Sequence, residues 1–272
     1  MRNKLLILTL IFSLFSCNST KFQNFEFDYQ QKLIGKIKEI KVKEIVYSYK
    51  KNDVLIKKDS AIEYYNKNND IEKSIGLRNF KVEMNYYFSK KRLDSTILVY
   101  GTSLIKHYYK YDKKNNLIEW KNYNDGVLAL SKKMDYDLKN NHLITIYEYK
   151  NSKLNHSEKY TNYYDELKCD IQSYNFKNEK SLSKLLLFYD KKGFIIKSSS
   201  IYEKANENSN YTTIEYDKKG NLVSRKDFNF ENIQNGNTEY KNKYDEKGNI
   251  ILREKFSNNK LTEQTFYEIT YW

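Results

Sequence analysis

The stretches Tyr216-Asp217-Lys218-Lys219-Gly220-Asn221 and Tyr244-Asp245-Glu246-Lys247-Gly248-Asn249 decide the fold, because they are two copies of one turn. Asp at the head of a type I turn accepts hydrogen bonds from the backbone ahead of it. Gly three residues later supplies the positive φ that closes a hairpin with a bulge. Tyr-Asp recurs upstream at Tyr111-Asp112, Tyr136-Asp137, Tyr164-Asp165 and Tyr189-Asp190, with consecutive Asp residues 25 to 28 positions apart. Asp190 is followed at the same offset by Gly193, and Asp112 and Asp137 by Asn115 and Asn140. Asn is the next best tolerated residue at positive φ. The copy at Asp165 departs and places Lys168 where Gly or Asn is wanted. A repeat of this period takes precedence over any local pattern in assigning a fold.

Midway between these turns lies a second set: Asn124-Asp125-Gly126, Asn151-Ser152, Asn235-Gly236 and Asn258-Asn259. Each unit therefore holds two turns and two strands of roughly eight to ten residues. Partial alternation supports this, since Ile250, Leu252 and Phe256 share a face, as do Leu222, Phe228 and Phe230. The expectation is an all-β protein, a long antiparallel meander of repeated β-hairpins forming an open, curved, twisted sheet. The N-terminal third carries the same style more loosely, with room for a helix over 23–33 or 71–79. No Pro or Gly-rich linker interrupts residues 35–272, which reads as a single domain whose clear repeats span 109–272.

Residues 1–16 have the order of a secretory leader: basic Arg2 and Lys4, the apolar run Leu5 to Phe12, then small Ser13 and Ser16. The apolar run is shorter than the roughly 20 residues a permanent span requires. Leu14-Phe15-Ser16-Cys17 resembles the bacterial lipobox. That resemblance implies cleavage of 1–16, lipidation of Cys17 and a tether over 17–34. Several acyl chains anchor stably where one is marginal. With Cys17 acylated, Cys169 has no intrachain disulfide partner.

The Tyr-Asp-x-x-Gly-Asn motif resembles the YD repeat, a relative of the RHS repeat of bacterial surface and secreted proteins. The opening Gly35-Lys36-Ile37-Lys38, followed by Tyr47, looks like the start of small YD-repeat lipoproteins of the Bacteroidota. In that group a short acidic stretch after the lipidated Cys marks transport to the outer surface. Asn18-Ser19-Thr20-Lys21 has no acid, which implies the periplasmic side of the outer membrane.

The chain carries a formal charge of +13 and 27 Tyr residues, a composition that invites nucleic-acid binding. The charge is spread along the chain, and an exported protein meets little nucleic acid, so none is expected as a partner. His107, His142 and His156 have no ligand spacing, and G-x-S-x-G, H-E-x-x-H and P-loop patterns are missing. No cofactor, metal or catalytic residue is assigned. The repeat Asp residues recur on every second strand, roughly 10 Å apart at about 4.8 Å per strand, too far to share one cation. Asp112, Asp137, Asp190, Asp217 and Asp245 are turn residues on this reading. Trp120 and Tyr123 are the aromatics placed to contact a ligand. The expected function is a non-enzymatic, membrane-anchored envelope lipoprotein binding a protein or glycan. A hydrolase with a site in the sheet's concavity and an immunity-type lipoprotein that neutralises a competitor's toxin are the alternatives.

Overall fold

In the computed structural model of the protein, residues 33–272 are described apart from 51–52, 78–80, 90–91, 138–142, 164–165, 176–178 and 203–209. The leader, Cys17, Asn140, His142 and Asp165 lie outside the described residues. Eighteen strands follow one another: β1 Ile37–Lys50, β2 Asp53–Tyr65, β3 Ile71–Leu77, β4 Lys81–Ser89, β5 Arg92–Tyr100 and β6 Ser103–Tyr111. Next come β7 Leu117–Asn124, β8 Val127–Tyr136, β9 Leu143–Lys150, β10 Lys153–Tyr163, β11 Lys168–Asn175 and β12 Lys180–Tyr189. β13 Ile195–Tyr202, β14 Tyr211–Tyr216, β15 Leu222–Phe228, β16 Gln234–Tyr244, β17 Ile250–Ser257 and β18 Lys260–Tyr271 complete the chain.

Each strand pairs antiparallel with the next, and β18 pairs with β1 from Ile37↔Tyr271 to Val46↔Glu263. The open sheet expected from sequence is therefore corrected to a closed β-barrel of eighteen strands. Closure leaves no row of unpaired edge N–H and C=O groups. The chain has no Pro, so no residue in any ladder lacks a backbone donor.

Directly paired residues share a face of the sheet. Followed round the ring, one face collects Ile40, Glu63, Met84, Tyr109, Trp120, Leu187 and Ile214. Among the described residues every buried apolar side chain except Leu186 falls on this face. Only the concave side of a single closed layer crowds side chains out of water, so this face is the inner wall. Its apolar members form two separate clusters, one running from β18 through β1 to β8 and one over β10 to β15. Burying one such Leu, Ile or Met contributes about 2 kcal/mol. Further along the same wall the residues turn polar: Glu44, Asp59, Arg253 and Thr265 form one paired row.

The Tyr-Asp turns all lie at one end of the barrel. Asp217 N donates to Asn221 O, Gly220 N donates to Asp217 O, and Asp217 Oδ1 accepts from the N–H groups of Lys219 and Asn221. The same bonds recur at Asp190 and, in part, at Asp112 and Asp245. Gly193, Gly220 and Gly248 hold φ of 89°, 84° and 94°, and Asn115 holds 77°. A bulge follows each of these turns, pairing Tyr111 with Leu117, Tyr189 with Ile195, Tyr216 with Leu222 and Tyr244 with Ile250. The extra residue lets both members of each pair face the inner wall.

Several local expectations change. Asn66-Lys67-Asn68-Asn69-Asp70 is a further copy of the turn, with Asn69 at φ 66° and Asn66 Oδ1 accepting from the N–H groups of Asn68 and Asp70. Residues 71–77 are β3 rather than helix, paired in register with β2 and β4. In the aberrant copy it is Leu167, not Lys168, that takes the positive φ (50°). Asn235-Gly236 lies inside β16, and the turn there is Asn229 to Ile233, again with the Asp-type bonds. At the other end, Asp125-Gly126, Asn151-Ser152 and Asn258-Asn259 make two-residue turns with both residues at positive φ.

The seam is built like one of these turns with its covalent tip missing. Tyr271 pairs with Ile37 as Tyr244 pairs with Ile250. Trp272 N donates to Lys36 O at 3.0 Å, as Asp245 N donates to Asn249 O at 2.9 Å. Gly35 holds φ 91°, beside 94° for Gly248. The fully buried Asn249 fastens the incoming chain: its Oδ1 accepts from Ile34 N at 2.6 Å, and its Nδ2 donates to Ile34 O at 2.7 Å.

Candidate functional site

Register, more than any motif, assembles the candidate site. On β6 and β7 the outward face pairs Lys106 with Tyr123, Tyr108 with Lys121 and Lys110 with Glu119. Together with Gly126 of the adjoining turn these side chains line a cleft of about 510 Å³ on the outside of the barrel. Tyr108 and Tyr123 meet edge to face, with ring centroids 5.6 Å apart at 89°, the arrangement that ring quadrupoles favour. Tyr108 is 45% exposed, so its ring is available to a ligand. Lys121 reaches Glu119 at 3.3 Å, which leaves Lys106 and Lys110 as the cations of the cleft. Such a surface can stack a flat apolar face and neutralise an anionic group beside it.

The structure separates the two aromatics singled out from sequence. Tyr123 lines the cleft. Trp120, three residues away on the same strand, must point to the opposite face. It is 8% exposed on the inner wall and stacks on His107 at 5.4 Å. Tyr108 and the lysines were missed because cross-strand pairing leaves no local signature. The one available signal was the alternation Lys106, Tyr108, Lys110 opposite Glu119, Lys121, Tyr123.

The inner wall carries its own titratable groups. His107 lies between Thr96 Oγ1 (2.9 Å from Nδ1) and the Asn122 amide (3.2 Å from Nε2). With that amide donating to Nε2, the ring proton sits on Nδ1. Burial lowers the His107 pKa to about 4, so the ring is neutral. A hydroxyl beside an imidazole has the form of a nucleophile and its base, but Thr96 is 0% exposed and no reacting group can reach it. Glu63 accepts from the Tyr65 hydroxyl at 2.6 Å. Burial raises the Glu63 carboxyl to about 7 against that bond, and it also pushes the Tyr65 hydroxyl up. Cys169 is buried on the inner wall with its thiol pushed up to about 12 by burial and then by Asp170, a state with little nucleophilic thiolate.

The repeat Asp residues bond to their own turns and to the neighbouring unit. Tyr244 donates its hydroxyl to Asp217, and Tyr271 donates to Asp245. Partial burial opposes ionisation of Asp217, yet the Tyr244 hydroxyl and the turn N–H groups together hold its carboxyl below the usual range. Asp137 is half-buried at the end of β8. Tyr136, beside it, donates to Leu117 O at 3.0 Å.

No family model matches the chain, and no curated protein matches it. Among solved structures, a porin-like protein from Bacteroides uniformis aligns over 86% of this chain and 98% of its own, at 10% identity and a TM-score of 0.46. The TcdB2-TccC3-Cdc42 structure aligns over 79% of this chain and 15% of its own, at 9% identity and a TM-score of 0.22. TcdB2-TccC3 without its hypervariable C-terminal region aligns over 82% and 19%, at 10% identity and a TM-score of 0.28. Likenesses at these scores carry no argument about this chain.

Proposed function

We propose that the chain is a non-enzymatic envelope lipoprotein, exported on residues 1–16, acylated at Cys17 and held on the periplasmic side of the outer membrane. Its barrel binds a glycan through the outer cleft. The observation that carries the binding role is the Tyr108–Tyr123 pair flanked by Lys106 and Lys110. Aromatic rings stack on the C–H faces of sugars, and the lysines favour an acidic sugar over a neutral one.

The outward face supports a barrel that stands in water. Lys41, Lys58, Lys106, Lys133, Lys184 and Lys226 all lie on it. A Lys or Arg at the bilayer midplane of a spanning barrel costs about 2–4 kcal/mol. Several of these charges are laced across strands instead, as in Lys41–Glu268 at 3.2 Å and Lys184–Asp170 at 3.1 Å.

Titration of the purified chain with acidic and neutral oligosaccharides, followed by intrinsic Tyr fluorescence, tests the binding role. Saturable binding of the acidic set, lost in Tyr123→Ala, is expected; binding unchanged by Tyr123→Ala sinks the assignment of the cleft. Acylation is tested by labelling cells with a palmitate analogue, with label on the wild-type chain and none on Cys17→Ala expected.

A further inference from the structure

Among the described residues, the turn tips at the two ends of the barrel differ in charge, and the described chain begins at the lysine-bearing end. At the Tyr-Asp end the two tip positions of the turns hold Lys113-Lys114, Lys191-Lys192 and Lys218-Lys219, all exposed. The Asp residues heading these turns are half-buried and aim their carboxylates back at turn N–H groups, and at Tyr244 in the case of Asp217. Lys113, Lys191 and Lys218 therefore stand outermost, while Lys219 lays its ammonium over the Tyr244 ring at 3.8 Å. Glu166 and Glu246 are the acidic exceptions at these tips. At the other end the described tips are Gly101-Thr102, Asp125-Gly126, Asn151-Ser152, Phe230-Glu231-Asn232 and Asn258-Asn259, with no lysine among them.

A second observation concerns the bulges just inside the turns at this end. In the units of β9, β13 and β17 the extra residue is Ile144, Ile196 or Ile251, and each is exposed, at 42%, 41% and 37%. Exposed isoleucines at the same end as the lysine tips give a surface that can settle into the headgroup layer of a membrane, although Glu72 and Asp94 take the corresponding place in the bulges of β3 and β5. The third observation is direction. Leu33 to Lys36 lie in the seam at this same end, beside Asn249 and Trp272. The described chain therefore begins at the lysine-bearing end.

We propose that the Tyr-Asp end of the barrel is a docking face for anionic phospholipid. It lays the barrel end-on against the membrane that holds the anchor, a geometry that rests on the acylation of Cys17 proposed above. Each lysine that reaches an anionic surface raises membrane partitioning roughly five-fold. The attraction acts within about one Debye length, ~8–10 Å at physiological salt, which end-on contact satisfies.

The test uses the mature chain from residue 17 with Cys17→Ser, so that no acyl group contributes. It is cosedimented with phosphatidylcholine vesicles with and without phosphatidylglycerol. Binding only to the phosphatidylglycerol vesicles, weakened by salt, is expected. The triple variant Lys113→Asn, Lys191→Asn, Lys218→Asn should lose at least ten-fold in partitioning. The wall variant Lys133→Gln, Lys159→Gln, Lys241→Gln should lose less than three-fold. Ile196→Ser with Ile251→Ser should lower the salt-resistant part of the binding. Equal losses from the tip and wall triples, or equal binding to both vesicle types, overturn the proposal. Failure of Cys17 to take label in cells would overturn the anchor and leave the vesicle result standing, so the two readings fail separately.

Discussion

Eight junctions at the Tyr-Asp end are crossed by continuous chain, and the ninth is made by two chain ends. The covalent junction at Asp245 and the seam at Trp272 share their backbone geometry: one N–H to C=O bond, one glycine near φ 90° and one Tyr paired with an inward Ile. They differ in what holds the tip. Asp245 secures its own turn through N–H bonds, whereas the seam borrows Asn249 from the neighbouring turn and Asn69 from the other side, which receives Ile37 N at 2.9 Å. The unit is thus specified by its hydrogen bonds, and chain continuity is dispensable once neighbours supply them.

The largest effect should come from removing that borrowed support. Asn249→Ala deletes bonds to Ile34 N, Ile34 O and the Tyr271 hydroxyl from a fully buried position. A loss of about 3 kcal/mol is expected in urea unfolding. Asn221→Ala, the same position one unit earlier, loses its 3.1 Å bond to Tyr244 and should cost about 1 kcal/mol. Equal losses would mean that the seam is not specially supported.

A pH series distinguishes the wall beside the seam from the wall opposite a covalent turn. Glu63 on β2 is raised from 4.5 to about 7 by burial, so the folded state holds its proton more tightly than the unfolded chain. Its contribution is a penalty that grows as pH rises from about 4.5 to about 7, reaching roughly 3 kcal/mol. Glu63→Gln should remove that decline. His107 on β6 is lowered from 6.5 to about 4 by burial, so its contribution runs the other way, with stability lost as pH falls from about 6.5 to about 4. Stability curves from pH 4 to 8 for wild type and the two single variants, Glu63→Gln and His107→Gln, check both signs.

Smaller effects follow at the Tyr hydroxyls. Tyr271→Phe removes a donor to Asp245 and an acceptor for Asn249 at the seam, and Tyr244→Phe removes the matching pair at a covalent junction. Each should cost about 1–1.5 kcal/mol, with the seam variant also showing faster hydrogen exchange in β1 and β18. The smallest change is expected from a permuted chain that joins Tyr271 to Gly35 through Asp-Lys-Lys and opens between Asn151 and Ser152. It should unfold within about 1 kcal/mol of wild type, because the new junction adopts a turn the seam already imitates. Failure of this chain to form the barrel would show that the free ends do more than complete a turn.

Much of the local design was legible in the residues. Asp217 with Gly220, and Asp245 with Gly248, announce a turn because few side chains suit those dihedrals, and the Tyr-Asp spacing announces two strands per unit. Asn66–Asp70 was legible as a polar turn, but not as a copy of the unit, because Asn replaces Asp at its head and Asn69 replaces Gly. The copy at Tyr271 escaped because its second half is Gly35-Lys36-Ile37, at the opposite end of the chain. The cleft was half legible: Tyr123 was visible as an aromatic, while its partners Tyr108 and Lys106 needed the register of β6 against β7.

The sequence by itself determined the repeated unit, since turn stereochemistry and two-residue alternation act within a few residues of one another. Only the tertiary structure decided that the units close into a ring. Closure depends on how many twisted strands accumulate before the last meets the first, and on Asn249 and Asn69 being present to receive Ile34 and Ile37. Those partners lie 215 and 32 residues away. No local pattern records a meeting between residues so far apart; the accumulated twist and register of the intervening strands bring it about.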